Sequence, residues 1–150
     1  MKRIILLLIL CLLLPFRMKT HEMESDTIYC DGTQVIIELP VGITNRMEKY
    51  YYTEGFFNDY VILIGKRPAL LAFHYGALQV NTVFTDNKMN LYSCKLGNVA
   101  RSRAFTKDSL FFRQDSYFKY SINISYEQVP QEGRELLDSI LDNVIIRKIQ

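Results

Sequence analysis

His74 and Cys94 are the two residues in the body of this chain that could act together in nucleophilic chemistry, a thiolate attacking while a nearby imidazole takes its proton. Nothing in their spacing brings them together. His74 stands between Phe73 and Tyr75, where a histidine packs against its neighbours more often than it reacts. The other histidine, His21, lies in the polar leader. No His-Glu-x-x-His occurs and the cysteines are isolated, so the spacing argues against a zinc site. The glycines are scattered at turns and form no phosphate-cradling loop. Asp59, Asp86, Asp108 and Asp115 occur singly, which gives paired-acid hydrolysis no support. The sequence therefore assigns no catalytic residue, no metal ligand and no cofactor.

Two groups are candidates for binding. Lys95, Arg101, Arg103, Lys107, Arg113 and Lys119 make the most basic stretch. Arg101 and Arg103 are two apart and share a face if the segment is extended, so they could receive a phosphate, a carboxylate or an acidic partner. The plainer reading is a solvated sheet face that Asp108 and Asp115 help neutralise. Tyr50, Tyr51 and Tyr52, with Phe56, Phe57 and Tyr60 close behind, combine large apolar area with hydroxyls that suit a protein partner. The absence of Trp weakens a carbohydrate reading, and a core this aromatic absorbs many such rings.

The N-terminus sets the location. Lys2 and Arg3 precede an apolar run over residues 4–14, closed by Pro15. A cationic segment ahead of a short apolar stretch is the pattern of a secretory signal. As a helix the run spans ~17 Å, too short for the ~30 Å core of a bilayer. The expectation is an export segment over 1–20 and one domain over 21–150. No Ala-x-Ala site follows, Thr20 being the smallest residue available before a cut. A retained anchor, with membrane contact through residues 4–16, and lipidation at Cys11 are the alternatives to cleavage.

Of the 18 basic residues, Lys2, Arg3, Arg17 and Lys19 precede the first acid, Glu22. Residues 21–150 thus carry 14 basic and 16 acidic side chains, a net of −2. Such a domain has no electrostatic footprint for nucleic acid. Cys30 and Cys94 form an even pair in an exported segment, so a disulfide between them is expected, with the strand ending at Cys30 and residues 91–96 side by side.

The elements that must position these residues read mainly as strands. Residues 27–30 and 33–39 flank Asp31-Gly32, a hairpin signal because both turn positions tolerate positive φ. Residues 56–64 form a buried strand closed by Gly65. Residues 69–78 have helical character weakened by Gly76, and 79–85 look extended. Residues 91–105 make one strand or two, broken at Gly97-Asn98. Phe118, Tyr120, Ile122, Ile124 and Tyr126 alternate with polar residues, the period of a half-buried strand over 118–127. A strand over 109–113 precedes it, with Gln114-Asp115-Ser116 as the turn.

Near the C-terminus the period changes. Leu136, Ile140 and Val144, and Leu137, Leu141 and Ile145, are spaced by four, which makes an amphipathic helix entered at Pro130. Arg134 and Asp138 can pair one turn apart on it. The fold expected is α+β: an antiparallel sheet of about five to seven strands with the C-terminal helix on one face. A strand running into Pro40-Val41-Gly42, with a late amphipathic helix, resembles the PsbP-like exported domains, although Ile43 stands where those carry Trp. That resemblance implies no functional residue.

The function these features point to is a small exported, periplasmic or envelope-associated binding or accessory protein without catalysis, its partner a protein or an envelope component. An enzyme with dispersed residues, His74 first among them, and an exported inhibitory or immunity-type protein are the competing classes.

Overall fold

The computed structural model describes residues 22–42, 44–46, 50–52, 55–76 and 89–149. The chain runs through β1 (Met23–Cys30), β2 (Thr33–Pro40), β3 (Thr44–Arg46), β4 (Tyr50–Tyr52), β5 (Gly55–Ile64) and β6 (Arg67–Gly76). It continues through β7 (Met89–Leu96), β8 (Val99–Phe105), β9 (Phe111–Tyr117), β10 (Ile122–Val129), α1 (Gln131–Asp142) and β11 (Ile145–Lys148). Residues 1–20, where an export segment is expected, and residues 79–85 lie outside the described residues. Among the described residues, no helix is long and apolar enough to cross a membrane.

Among the described residues, two antiparallel sheets form. The small one is ordered β1-β2-β11. The large one is ordered β3-β5-β6-β10-β9-β8-β7, with β4 also on β5. β3 faces Tyr60 to Ile62 and β4 faces Gly55 to Phe57, so the two short strands share one edge of β5. The α+β expectation holds, but the strands divide into sheets of three and eight where a single sheet of five to seven was expected. Asp31 and Gly32 take positive φ, 37° and 69°, and close the first hairpin as their types suggest. Gly97-Asn98 separates β7 from β8 as a hairpin turn.

Among the described residues, the main core lies between the two sheets. Alternate residues of β5 (Phe56, Tyr60, Ile62, Ile64), β6 (Ala69, Leu71, Phe73) and β10 (Ile122, Ile124, Tyr126) face Ile28, Cys30, Val35, Ile37 and Leu39 of the small sheet. Leu137, Ile140 and Leu141 of α1 complete it. The helix lies against β10, β9 and β2. It approaches closely at Gly133, where an added Cβ would sit 2.7 Å from Cγ1 of Ile64.

Four expectations change. Residues 69–76 are strand throughout, because β6 is central and its Leu71 and Phe73 are fully buried. Gln114-Asp115-Ser116 is no turn: it is the middle of β9, and the reversal falls at Phe118–Tyr120, a 3₁₀ turn ended by Ser121 at φ 53°. α1 stops at Asp142, with the Asn143 N–H bonded to Ser139 and Ile140 carbonyls. Ile145 therefore belongs to β11, where the β-branched Ile145 and Ile146 help supply the partner that the edge of β2 needs. Finally, Cys30 and Cys94 form no disulfide. Cys30 ends β1 in the small sheet and Cys94 lies on β7, the far edge strand of the large one, so the expected neighbouring strands do not exist.

Candidate functional site

The register of the large sheet carries its buried face from aliphatic to ionic within one strand. Ile124 of β10 faces Asp115 of β9, and Asp115 faces Arg101 of β8. One row along, Tyr126 faces Arg113, and Arg113 faces Arg103. Above these strands, α1 presents Arg134, Asp138 and Asp142, spaced by four and therefore along one stripe. The core helix is also the lid of a charge network.

At its centre Arg113 and Asp115 are both fully buried. Arg113 donates from Nε to Asp115 Oδ1 at 3.0 Å and from Nη2 to Oδ2 at 2.7 Å, a two-pronged pair. The same guanidinium donates to Asp142 Oδ1 at 2.6 Å, to Asp138 Oδ1 at 3.0 Å and to the Asp138 carbonyl at 3.1 Å. Arg101 grips Asp115 from the other side, at 3.0 Å from Nε and 2.9 Å from Nη2, and reaches Asp142 at 2.9 Å. Tyr126 donates its hydroxyl to Asp138 at 3.0 Å.

Burial works against the charge of Arg113, but the bond and charge of Asp115 and the bonds to Asp142 and Asp138 outweigh it and hold the proton more tightly than usual. Burial likewise pushes the Asp142 carboxyl up, and Arg113, Arg101 and Arg103 bring it below its ordinary value. Burial raises the Tyr126 phenol, reinforced by the charge of Asp138 and the bond to it. Tyr117 is pushed up to about 12 by burial and by Asp115.

The network opens at one end into a cleft of about 290 Å³ lined by Arg103, Ala104, Phe105, Phe111, Phe112, Tyr126 and Arg134. Arg103 and Arg134 share Asp138, at 3.5 and 3.6 Å. The Arg134 guanidinium lies 4.6 Å from the centre of the Phe111 ring, and Phe105 packs against Phe111 at 6.2 Å. Nε of Arg103 is buried and has no hydrogen-bond partner.

The opposite face of the same sheet carries His74. Its ring stacks on Phe57 at 4.6 Å, and its Nδ1 lies 3.2 Å from the Asn123 amide nitrogen. Burial lowers its pKa, favouring the neutral ring. Asp59 on that face is raised by burial and by Glu127, and its Oδ1 is buried without a hydrogen-bond partner.

The candidates named from the sequence separate accordingly. Arg101 and Arg103 do share a face, but it is the inner one, and Arg101 is taken up by Asp115 and Asp142. Arg103 reaches the cleft. Tyr50, Tyr51 and Tyr52 form β4, at the other edge of the sheet from Arg101 and Arg103. Cys94 pairs with Arg101 in register, and His74 lies on β6 with β10, β9 and β8 between it and β7. Sequence reasoning missed Asp138 and Asp142 as partners of the sheet arginines, and missed Arg134 and Tyr126 at the cleft. The available signal was the four-residue spacing of Arg134, Asp138 and Asp142 beside the buried Leu137 and Leu141. Among the described residues, no three His, Cys, Asp or Glu side chains are grouped to hold a metal ion. No family model, no curated protein and no solved structure matches the chain, so the likeness to PsbP-like domains gains no support.

Proposed function

We propose that this chain acts outside the cytoplasm as a small non-enzymatic binding or accessory domain, with the cleft beside α1 as its binding site. The observation that carries the reading is a concave surface in which aromatic rings and two incompletely matched guanidiniums converge, the composition of a recognition site. Residues 1–14 support the location, since their charge and apolar run suit export. His74 supports catalysis poorly, because its ring is buried, stacked on Phe57 and beside Asn123.

Two measurements test this. Cell fractionation should find the full chain in the envelope or the medium, and a tagged full chain should retain an envelope component that an Arg103→Glu variant loses. A broad hydrolase screen on the same protein should show no turnover. Reproducible turnover abolished by His74→Ala, or a cytoplasmic location, would overturn the proposal.

A further inference from the structure

We infer that the cleft takes a small monoanionic acid, a carboxylate carried on a flat apolar body, with Arg103 and Arg134 holding the carboxylate and Phe105 and Phe111 holding the body. This rests on the binding-domain reading above and names the ligand class for it.

The charges of the network set the argument. Its ion pairs join four guanidiniums, Arg101, Arg103, Arg113 and Arg134, to three carboxylates, Asp115, Asp138 and Asp142. Among the described residues no further carboxylate pairs with these four. One positive charge is therefore unmatched, and the distances say where it lies. Asp115 and Asp142 are held at 2.6–2.9 Å by Arg113 and Arg101. Arg103 and Arg134 have only Asp138, at 3.5 and 3.6 Å, beyond the 2.7–2.9 Å of a strong charged hydrogen bond. Oδ1 of Asp138 already accepts from Arg113 and from Tyr126, each at 3.0 Å. The deficit thus falls on the two arginines that line the cleft, one of them with a buried, unpartnered Nε.

Partly desolvated cations gain most from a partner that brings both charge and acceptor oxygens. One carboxylate completes four against four, whereas a dianion would exceed the match. The remaining wall selects the rest of the ligand. Phe105 and Phe111 pack together, and Arg134 covers the Phe111 ring, leaving apolar surface continuous with the guanidiniums. A volume of about 290 Å³ suits a single ring with a short acidic arm.

Phenylacetate, its neutral isostere 2-phenylethanol and phenyl phosphate are the probes. Each is titrated into the ¹⁵N-labelled full chain, and amide shifts of residues 103–105 and 111 are followed. Phenylacetate should move those amides, with 2-phenylethanol at least about tenfold weaker and phenyl phosphate no tighter than the carboxylate. Arg103→Gln and Arg134→Gln should each weaken phenylacetate about tenfold. Arg103 carries the buried Nε, so the Arg134 variant decides the matter if Arg103→Gln fails to fold by circular dichroism. No shift with phenylacetate, equal binding of the alcohol, tighter binding of the phosphate, or a folded Arg134→Gln that binds normally would each overturn the inference. Envelope capture that persists while phenylacetate fails would sink this ligand class and leave the binding-domain reading standing. Turnover abolished by His74→Ala would do the reverse.

Discussion

Under the same helix, on the same face of one sheet, two regions are held by different forces. Toward β5 and β6, Leu137, Ile140 and Leu141 of α1 join an aliphatic core with Ile62, Leu71 and Ile124. Toward β9 and β8, Asp138 and Asp142 of that helix meet Arg113, Arg101 and Arg103. The first region is non-directional: its atoms gain by leaving water, and a neighbour of similar size can stand in. The second is directional and stoichiometric, because a buried charge costs several kcal/mol unless its own partner is present. The contrast shows how one helix can be both fastened and aimed. The aliphatic side fixes that it docks, and the ionic side fixes where along β9 its turns fall.

The contrast breaks most visibly at the buried pair. Asp115→Ala should destabilise by about 3–5 kcal/mol, since it takes the two-pronged partner from buried Arg113 and leaves Arg113 and Arg101 side by side with only the helix aspartates. Urea unfolding should recover part of that loss in the Arg113→Met, Asp115→Leu double variant, which removes both charges together. If the double variant were as unstable as the two single losses combined, the pair would not be coupled and the ionic region would need another account.

On the aliphatic side, Leu137→Ala should cost about 2–4 kcal/mol through a cavity, measured by the same unfolding curves. Unlike the Asp115 loss, this one should be nearly independent of salt and pH.

Asp142→Ala sharpens the comparison. On the polar face of a helix such a substitution usually costs less than ~0.5 kcal/mol. Its bonds to Arg113 and Arg101 raise the expectation to about 1–2 kcal/mol, discounted because the carboxylate is half exposed. Its folded pKa is depressed, so its contribution is present above its unfolded value of ~3.9 and is lost as pH falls through the lower folded value. The gap between wild type and Asp142→Ala should therefore close only below about pH 4. A gap unchanged down to the acid limit would mean that the carboxylate does no electrostatic work.

The smallest effect belongs to the opposite face. Asp59 is raised, so its ionised form opposes folding at neutral pH and the penalty fades as pH drops through its folded value. Asp59→Asn should raise the melting midpoint at pH 7, by less than about 1 kcal/mol in stability, and do nothing at pH 3. A destabilised Asp59→Asn at pH 7 would assign that carboxylate a partner.

Legibility followed the same division. Elements whose residues answer to local rules were readable: Asp31-Gly32 announces its turn, and the alternation of Ile122, Ile124 and Tyr126 announces its buried face. Leu137, Ile140 and Leu141 announce the helix. The ionic region was not readable, because Gln114-Asp115-Ser116 looks like a turn to any local rule. Asp115 is tolerated inside a strand only because β8 and α1 supply Arg101 and hold Arg113 beside it. Arg101 and Arg103 were seen to share a face, but not that the face pointed inward. That depended on the register of β8 on β9, which no local pattern states. The helix was carried too far, to Ile145, since the spacing of four continues past the point where β2 takes over the chain.

β11 has a consequence of its own for the order of assembly. It pairs with β2 through Gln34 and Arg147, 113 positions apart, and the Ile149 N–H closes on the Gly32 carbonyl at 2.8 Å. Contacts this distant in sequence close the largest loops and tend to form late and slowly. While the chain is still being made, β2 has a neighbour on one side only. Its other edge stays open for as long as residues 145–148 are held back, and an open edge is a template for the wrong strand. Completion of the small sheet thus acts as a timing mark, passed only once residues 145–148 have been released.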